Sequence, residues 1–175
     1  MAALGALFRG LTYATLFVGL LLLFLPARLI AWSGIDPPGV PGPAQWAGLA
    51  AGTAGGILVL ACILTFAVLG RGTPAPFDPP RRLVVRGPYR HLRNPMYLGA
   101  GLALLGGVLY YGSLPLLGYL TAFMVASHLF VLLYEEPTLQ RLFGPDYTAY
   151  RAATPRWIPR LRPPSTPSTE GRPGR

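Results

Sequence analysis

Lysine is missing from this chain, cysteine occurs once and histidine twice, and 6 acidic residues stand against 15 arginines, for a net charge of +9. The one cysteine, Cys62, sits inside an apolar run, which excludes a disulfide framework and a thiolate metal cluster. The two histidines, His91 and His128, lie far apart, so no histidine metal site is expected. Charge is scarce altogether: 12% of residues carry one, against about 25% in ordinary soluble domains. No charge falls between Arg9 and Arg28, between Asp36 and Arg71, or between Arg93 and Glu135, gaps of 18, 34 and 41 residues. Each is long enough to cross a hydrocarbon core of about 30 Å, which excludes a soluble globule. What the chain has instead is apolar residues, 52% of the total, with 22 glycines and 20 prolines. The use of arginine alone as cation is consistent with a GC-rich coding bias.

The first gap holds Leu11 to Ala27, an apolar run that Pro26 and Arg28 are expected to end. A signal peptide is the competing reading, but the run is long and Ala31-Trp32-Ser33 is a poor cleavage site, so an anchored helix is expected. Asp36 to Pro43 is too rich in proline and glycine for a helix and predicts a loop. Ala44 to Leu69 predicts a second span, with Gly48, Gly52 and Gly56 forming a smooth stripe for close helix approach, or reflecting only the abundance of glycine in membrane helices. The third gap would make a helix of about 60 Å, twice what a bilayer needs, so it must fold back. Gly112-Ser113-Leu114-Pro115 is its strongest break, predicting a hairpin of Met96–Tyr111 and Leu116–Tyr134 with a short first arm.

Arginine placement orients the spans. Arg71, Arg81, Arg82, Arg86, Arg90 and Arg93 lie between spans two and three, and seven more follow span four. The positive-inside rule therefore puts both termini, the middle loop and the tail in the cytoplasm, with Arg28 snorkelling on the other side. Pro163 to Arg175 has the composition of a disordered tail.

Two cytoplasmic segments hold the candidate chemistry. In Arg86 to Gly99, Asn94 before Pro95 reads as an N-cap followed by a proline at the first helical position. The resulting helix start, with Arg90 and Arg93 beside it, is either a well-made terminus or a seat for a carboxylate or phosphate. The second segment opens on Glu135-Glu136-Pro137. Two carboxylates at the edge of hydrocarbon need a partner or ligand. At the C-terminus of span four they would also oppose the helix dipole, which favours a functional role over an exposed helix end. Pro137 predicts a kink and a free carbonyl at Leu133. Leu139, Leu142 and Phe143 form one apolar stripe, Gly144-Pro145 breaks it, and a short helix follows, in keeping with pieces lying on the membrane surface.

Arginines at a helix start, a carboxylate pair, and Tyr89, Tyr97, Tyr147, Tyr150 and Trp157 can together hold a zwitterion with a planar base and a cationic centre. S-adenosylmethionine, a nucleotide and a lipid headgroup all meet that description. The Gly99-Ala100-Gly101…Gly106 spacing is wrong for a dinucleotide-binding loop. A non-catalytic protein binding anionic lipid or a partner through its arginines is the rival reading, and salt separates the two because screening weakens surface attraction most. A transporter has little support, with only His128 noticeable mid-span.

Taken in order, Gly87-Pro88-Tyr89, Arg93-Asn94-Pro95-Met96-Tyr97-Leu98-Gly99, the hairpin, Glu135-Glu136-Pro137-Thr138-Leu139, Phe143 to Tyr150 and Pro155-Arg156-Trp157-Ile158-Pro159 resemble the isoprenylcysteine carboxyl methyltransferase and phospholipid methyltransferase superfamily, over about Leu83 to Arg162. The resemblance implies an all-α polytopic membrane enzyme of about four transmembrane helices, with a C-terminal helical hairpin and cytoplasmic segments folded over S-adenosylmethionine. It further implies a lipophilic or lipid-modified acceptor arriving from the bilayer, and no nucleic-acid partner. The Arg-His-Pro-x-Tyr-x-Gly motif falls on Arg93, Asn94, Pro95, Tyr97 and Gly99, with Asn94 replacing histidine, which weakens the transfer of a prenylcysteine substrate. The paired glutamates fall on Glu135 and Glu136, and the C-terminal Tyr-x-x-Tyr on Tyr147 and Tyr150. On this reading Arg93, Glu135 and Glu136 are the catalytic candidates, and Tyr89, Arg90, Arg93, Asn94, Pro95, Tyr97, Glu135, Glu136, Tyr147 and Tyr150 the cofactor-binding ones. Arg93 and the Asn94 helix start would hold the cofactor's carboxylate, a glutamate its amino or ribose end, and Tyr89 and Tyr97 would line the cavity. The chain divides into N-terminal spans (1–70), the cofactor-binding region with its hairpin (71–162) and a tail (163–175), in what is expected to be a bacterial inner membrane.

Overall fold

The computed structural model describes residues 18–66 and 83–160. The beginning of span one, the end of span two, most of the arginine-rich middle loop and the tail lie outside them. All regular structure among the described residues is helical.

Helix α1 runs Gly19–Trp32. Pro26 does not end it, contrary to expectation. The turn Gly19–Phe24 widens to π-helical bonding, with the Leu25 N–H reaching back to the Leu20 carbonyl. A wider turn makes room for the proline ring, which would otherwise strike the preceding turn, and the carbonyls it leaves short of a donor need another partner. One is supplied from outside the helix, where the Tyr119 hydroxyl donates to the Leu21 carbonyl at 2.9 Å. Gly34, at φ 62°, then closes the helix and the proline-rich loop follows as expected.

Helix α2, Pro43–Thr65, pairs with α3, Pro95–Tyr111. The side chain of Gln45 ties the start of one to the end of the other, accepting from the Gly42 N–H at 3.0 Å and donating to the Tyr110 carbonyl at 3.4 Å. Their seam is made of glycine and alanine. A methyl group on Gly48 would stand 2.7 Å from the Gly106 carbonyl, one on Gly106 2.6 Å from Gly52 Cα, and one on Gly55 2.5 Å from the Gly99 carbonyl. The stripe is therefore Gly48, Gly52 and Gly55 rather than the expected Gly48, Gly52 and Gly56. A methyl group on Gly56 would meet nothing within 4 Å. Seven residues fill two turns, so a 4-then-3 spacing follows a helix face more closely than two steps of four.

The hairpin forms where expected. Gly112 adopts φ 60°, and the Ser113 hydroxyl accepts from the Leu116 N–H at 3.2 Å to cap α4, Leu114–Phe130. Helix α4 does not stop at the glutamates. It passes through a π-helical turn, Val131–Glu135, into α5, Glu136–Ala153, making one path of 40 residues. The expected kink at Pro137 takes the form of this widened turn, the same device as before Pro26. The true break comes at Gly144 (φ 48°, ψ −120°), as Gly144-Pro145 suggested.

Two helices are long and apolar enough to cross a membrane, Pro43–Thr65 and the path Leu114–Ala153, while Gly19–Trp32 and Pro95–Tyr111 are apolar but shorter. Only 22% and 17% of the most apolar stretches of the long pair are buried, the reverse of a soluble core helix. Leu23, Trp46, Ile57, Leu60, Val125 and Leu133 all face outward.

Candidate functional site

The approach to α3 is set by backbone. Gly87 takes φ 59° where a methyl group would meet the Thr65 hydroxyl at 2.8 Å, and Gly87–Arg90 forms a single 3-10 turn. This turn buries Tyr89 against Cys62 and Val84 and sets its ring edge-on to Phe66 at 5.1 Å. Burial pushes the Tyr89 hydroxyl well above the usual phenol range, with the neighbouring Cys62 adding to the effect. It stays neutral there. Arg90 points to solvent.

Pro95 begins α3 as expected and is fully buried, its missing N–H costing nothing at that position. The side chain of Asn94, however, makes no cap. Its amide instead donates to the Arg156 carbonyl at 3.4 Å. The cause is the segment after α5, Thr154 to Arg160, which runs along the helix start as a strap. Arg93 N–H donates to the Pro155 carbonyl at 2.9 Å, Arg160 N–H to the His91 carbonyl at 3.0 Å, and His91 Nδ1–H to the Arg160 carbonyl at 2.8 Å. From the same strap the Trp157 indole N–H donates to His128 Nδ1 at 3.1 Å.

This packing brings the charges together. Arg93 Nη1 meets Glu136 Oε1 at 2.7 Å, while Arg156 grips both oxygens of the same carboxylate, Nε on Oε1 at 2.8 Å and Nη2 on Oε2 at 2.9 Å. Only 10% of the Arg93 and Glu136 side chains is exposed. Charge-assisted bonds of this kind are about twice as strong as neutral ones, which is what burial of a carboxylate requires. The bonds from Glu136 in turn raise the affinity of the Arg156 guanidinium for its proton. The helix dipole plays no part, because the helix continues past the glutamates rather than ending at them.

Glu135 points elsewhere. Successive helical residues diverge by about 100°, and Glu135 Oε2 accepts from the Tyr97 hydroxyl at 3.1 Å, one turn along α3 from Arg93. Tyr147 is 2% exposed and lies close to Arg93, and the Tyr150 hydroxyl donates to the Tyr89 carbonyl at 2.8 Å. Of the sequence-predicted residues, Arg93, Asn94, Pro95, Tyr97, Glu135, Glu136 and Tyr147 gather around the start of α3, Tyr89 and Tyr150 brace its flank, and Arg90 stays outside. Arg156 had no role in the sequence reading. Its signal was the carboxylate pair at 135–136, for which the sequence reading assigned no cation of the protein, Arg93 having been given to the cofactor's carboxylate.

One polar atom stands out. Arg93 Nε is buried and has no hydrogen-bond partner among the described residues. A donor of a cationic group left unpaired in a buried place calls for an acceptor. Glu135, the residue before the Glu136 that Arg93 bonds, is held by a neutral hydroxyl, with no cation bonded to it among the described residues. The arrangement thus offers a donor for an anion and an acceptor for a cation within one turn of α3.

The sequence model of the family described as phospholipid methyltransferase matches residues 43–146. The match takes in α2, α3, α4 and both glutamates and ends short of Tyr147, Tyr150 and Arg156. No curated protein and no solved structure matches the chain.

Proposed function

The chain belongs to the phospholipid methyltransferase family, and from that membership we propose that it transfers a methyl group from S-adenosylmethionine to a lipophilic acceptor at the cytoplasmic face of a membrane. The observation that carries this reading is the buried Arg93 Nε, without a hydrogen-bond partner among the described residues, together with the Glu135–Tyr97 pair one helical turn along. The ligand's α-carboxylate suits the first and its ammonium the second, so the residues present fit the cofactor. S-adenosylmethionine supplies a methyl group activated by its sulfonium. The chain's own residues bind and orient. Arg93 takes the carboxylate, Glu135 the ammonium, and Tyr97 fixes Glu135 through its hydroxyl. Tyr147 and the strap shield the charges from water, which strengthens every electrostatic contact beneath them. An ionised carboxylate acceptor needs no base, whereas an amine or thiol must give up a proton, and Glu135 is the carboxylate not already paired with arginine.

Isothermal titration of the detergent-purified protein with S-adenosylmethionine is expected to show saturable one-site binding that persists at 0.5 M salt, roughly the regime in which exposed charge contacts are screened within about 5 Å. Binding that vanishes with salt would favour a lipid-attracting surface instead.

The acceptor is expected to enter sideways from lipid near Tyr97 and the short α3. Among acceptors with one nucleophile, kcat/KM should then rise with tail length by up to about 0.8 kcal/mol per methylene until the cavity is outgrown. Rates that are flat with tail length, or best for water-soluble acceptors, would refute entry from lipid.

Four spans with both ends in the cytoplasm account for the arginine distribution. Reporters fused after Arg82 and after Arg175 should read cytoplasm, and one placed within Pro37–Pro43 should read the outside. A cytoplasmic signal from that loop would overturn the four-span topology.

A further inference from the structure

Resting on the methyl-transfer reading, we propose that Arg156 is a positioning residue of this site, holding the Glu136 carboxylate that in turn aims the Arg93 guanidinium. The two arginines treat Glu136 differently. Arg93 makes one end-on bond, which leaves a carboxylate free to swivel, whereas Arg156 takes both oxygens and fixes its plane. A guanidinium is a rigid planar fork, so holding Nη1 of Arg93 also limits where its buried Nε–H points. The direction of the one buried side-chain donor left unpaired among the described residues is thus set two bonds away, by a residue that need not touch the ligand.

Arg156 is itself held in place by its neighbours. The Pro155 carbonyl accepts from Arg93 N–H, the Arg156 carbonyl from the Asn94 amide, and the Trp157 indole bonds His128, so three consecutive residues of the strap are pinned to the two residues before α3 and to α4. Asn94 departs from the superfamily's histidine, and in this chain its side chain serves the strap instead of capping the helix. The Arg156 side chain is 29% exposed, against 10% for Glu136 and for Arg93. The strap residues Pro155, Arg156 and Trp157 lie outside the family match, which ends at residue 146.

The test measures S-adenosylmethionine affinity and steady-state kinetics for wild type, Arg156→Ala, Arg156→Lys and, as a control for lost surface charge, Arg151→Ala. Arg156→Ala should raise the cofactor Kd and KM about tenfold or more, the scale of a charged hydrogen bond, while kcat at saturating cofactor stays within about threefold. Arg156→Lys keeps the charge without the two-point grip and should fall between, at about a three- to tenfold rise. Arg151→Ala should match wild type. A Kd within about twofold of wild type in Arg156→Ala overturns the proposal, as does a loss of kcat with Kd unchanged, which marks a merely structural role. If Arg156→Ala does not fold, the lysine variant decides by the same measure, unchanged affinity overturning the proposal and a rise of about threefold or more supporting it. Wild-type protein that binds no S-adenosylmethionine removes the methyl-transfer reading and this proposal together, whereas binding by wild type with indifferent variants removes the proposal alone.

Discussion

Replacing Glu136 with alanine is expected to cost about 3–5 kcal/mol of folding stability, because it leaves Arg93 and Arg156 facing each other across a buried gap with no counter-charge. The neighbouring change, Glu135→Ala, removes one hydrogen bond from a neutral tyrosine and should cost only about 1 kcal/mol. Denaturant titration of the two variants in detergent micelles reads the difference directly. The comparison is sharp because the residues are adjacent in sequence and of one type, and differ only in what they meet. Equal losses at the two positions, or a Glu136→Ala protein within 1 kcal/mol or so of wild type, would show that the arginine cluster does not hold the strap and α3 together.

A valine at Gly55 or Gly106 is expected to cost at least about 1–3 kcal/mol, the range for over-packing, and to lower the yield of folded protein. At both positions the obstacle is backbone of the facing helix, the Gly99 carbonyl for Gly55 and Gly52 Cα for Gly106, and backbone cannot swing aside as a side chain can. Gly56→Val is the matched control, since a methyl group there meets nothing within 4 Å. Thermal unfolding should put Gly55→Val and Gly106→Val well below Gly56→Val. Three indistinguishable melting curves would mean that α2 and α3 do not meet along this seam.

What could be read from the sequence was local. Pro95 starts α3, Gly112 and Ser113 turn the hairpin, and Gly144 breaks the last helix, each because one residue's φ, missing N–H or short side chain decides the matter by itself. The gathering of Arg93, Tyr97, Glu135 and Glu136 was also legible, through charge that could not stay unpaired at the edge of an apolar run. The roles of Asn94 and Arg156 were hidden. Asn94 reads locally as an N-cap, and a partner 62 residues away takes its side chain instead. Arg156 sits among other arginines in a basic stretch, and only the return of the strap over α3 singles it out. The continuation of the helices past Pro26 and past the glutamates was misread for a related reason. A widened turn leaves no mark in the sequence beyond the proline it accommodates.

That widened turn before Pro137 also acts as a phase setter. Helical direction accumulates at about 100° per residue, so the number of residues between the α4 cap at Ser113 and the glutamates determines which carboxylate faces Arg93 and which faces Tyr97. The turn Val131–Glu135 places one additional residue in that count compared with an unbroken α-helix. Without it the angular order of all that follows would advance by roughly a quarter turn, and Glu135 and Glu136 would no longer point at their present partners. The chemistry of the site is therefore keyed to a count of residues as much as to their identities, and a chain that kept every residue but ran through this turn as an unbroken α-helix would present the same groups in the wrong directions.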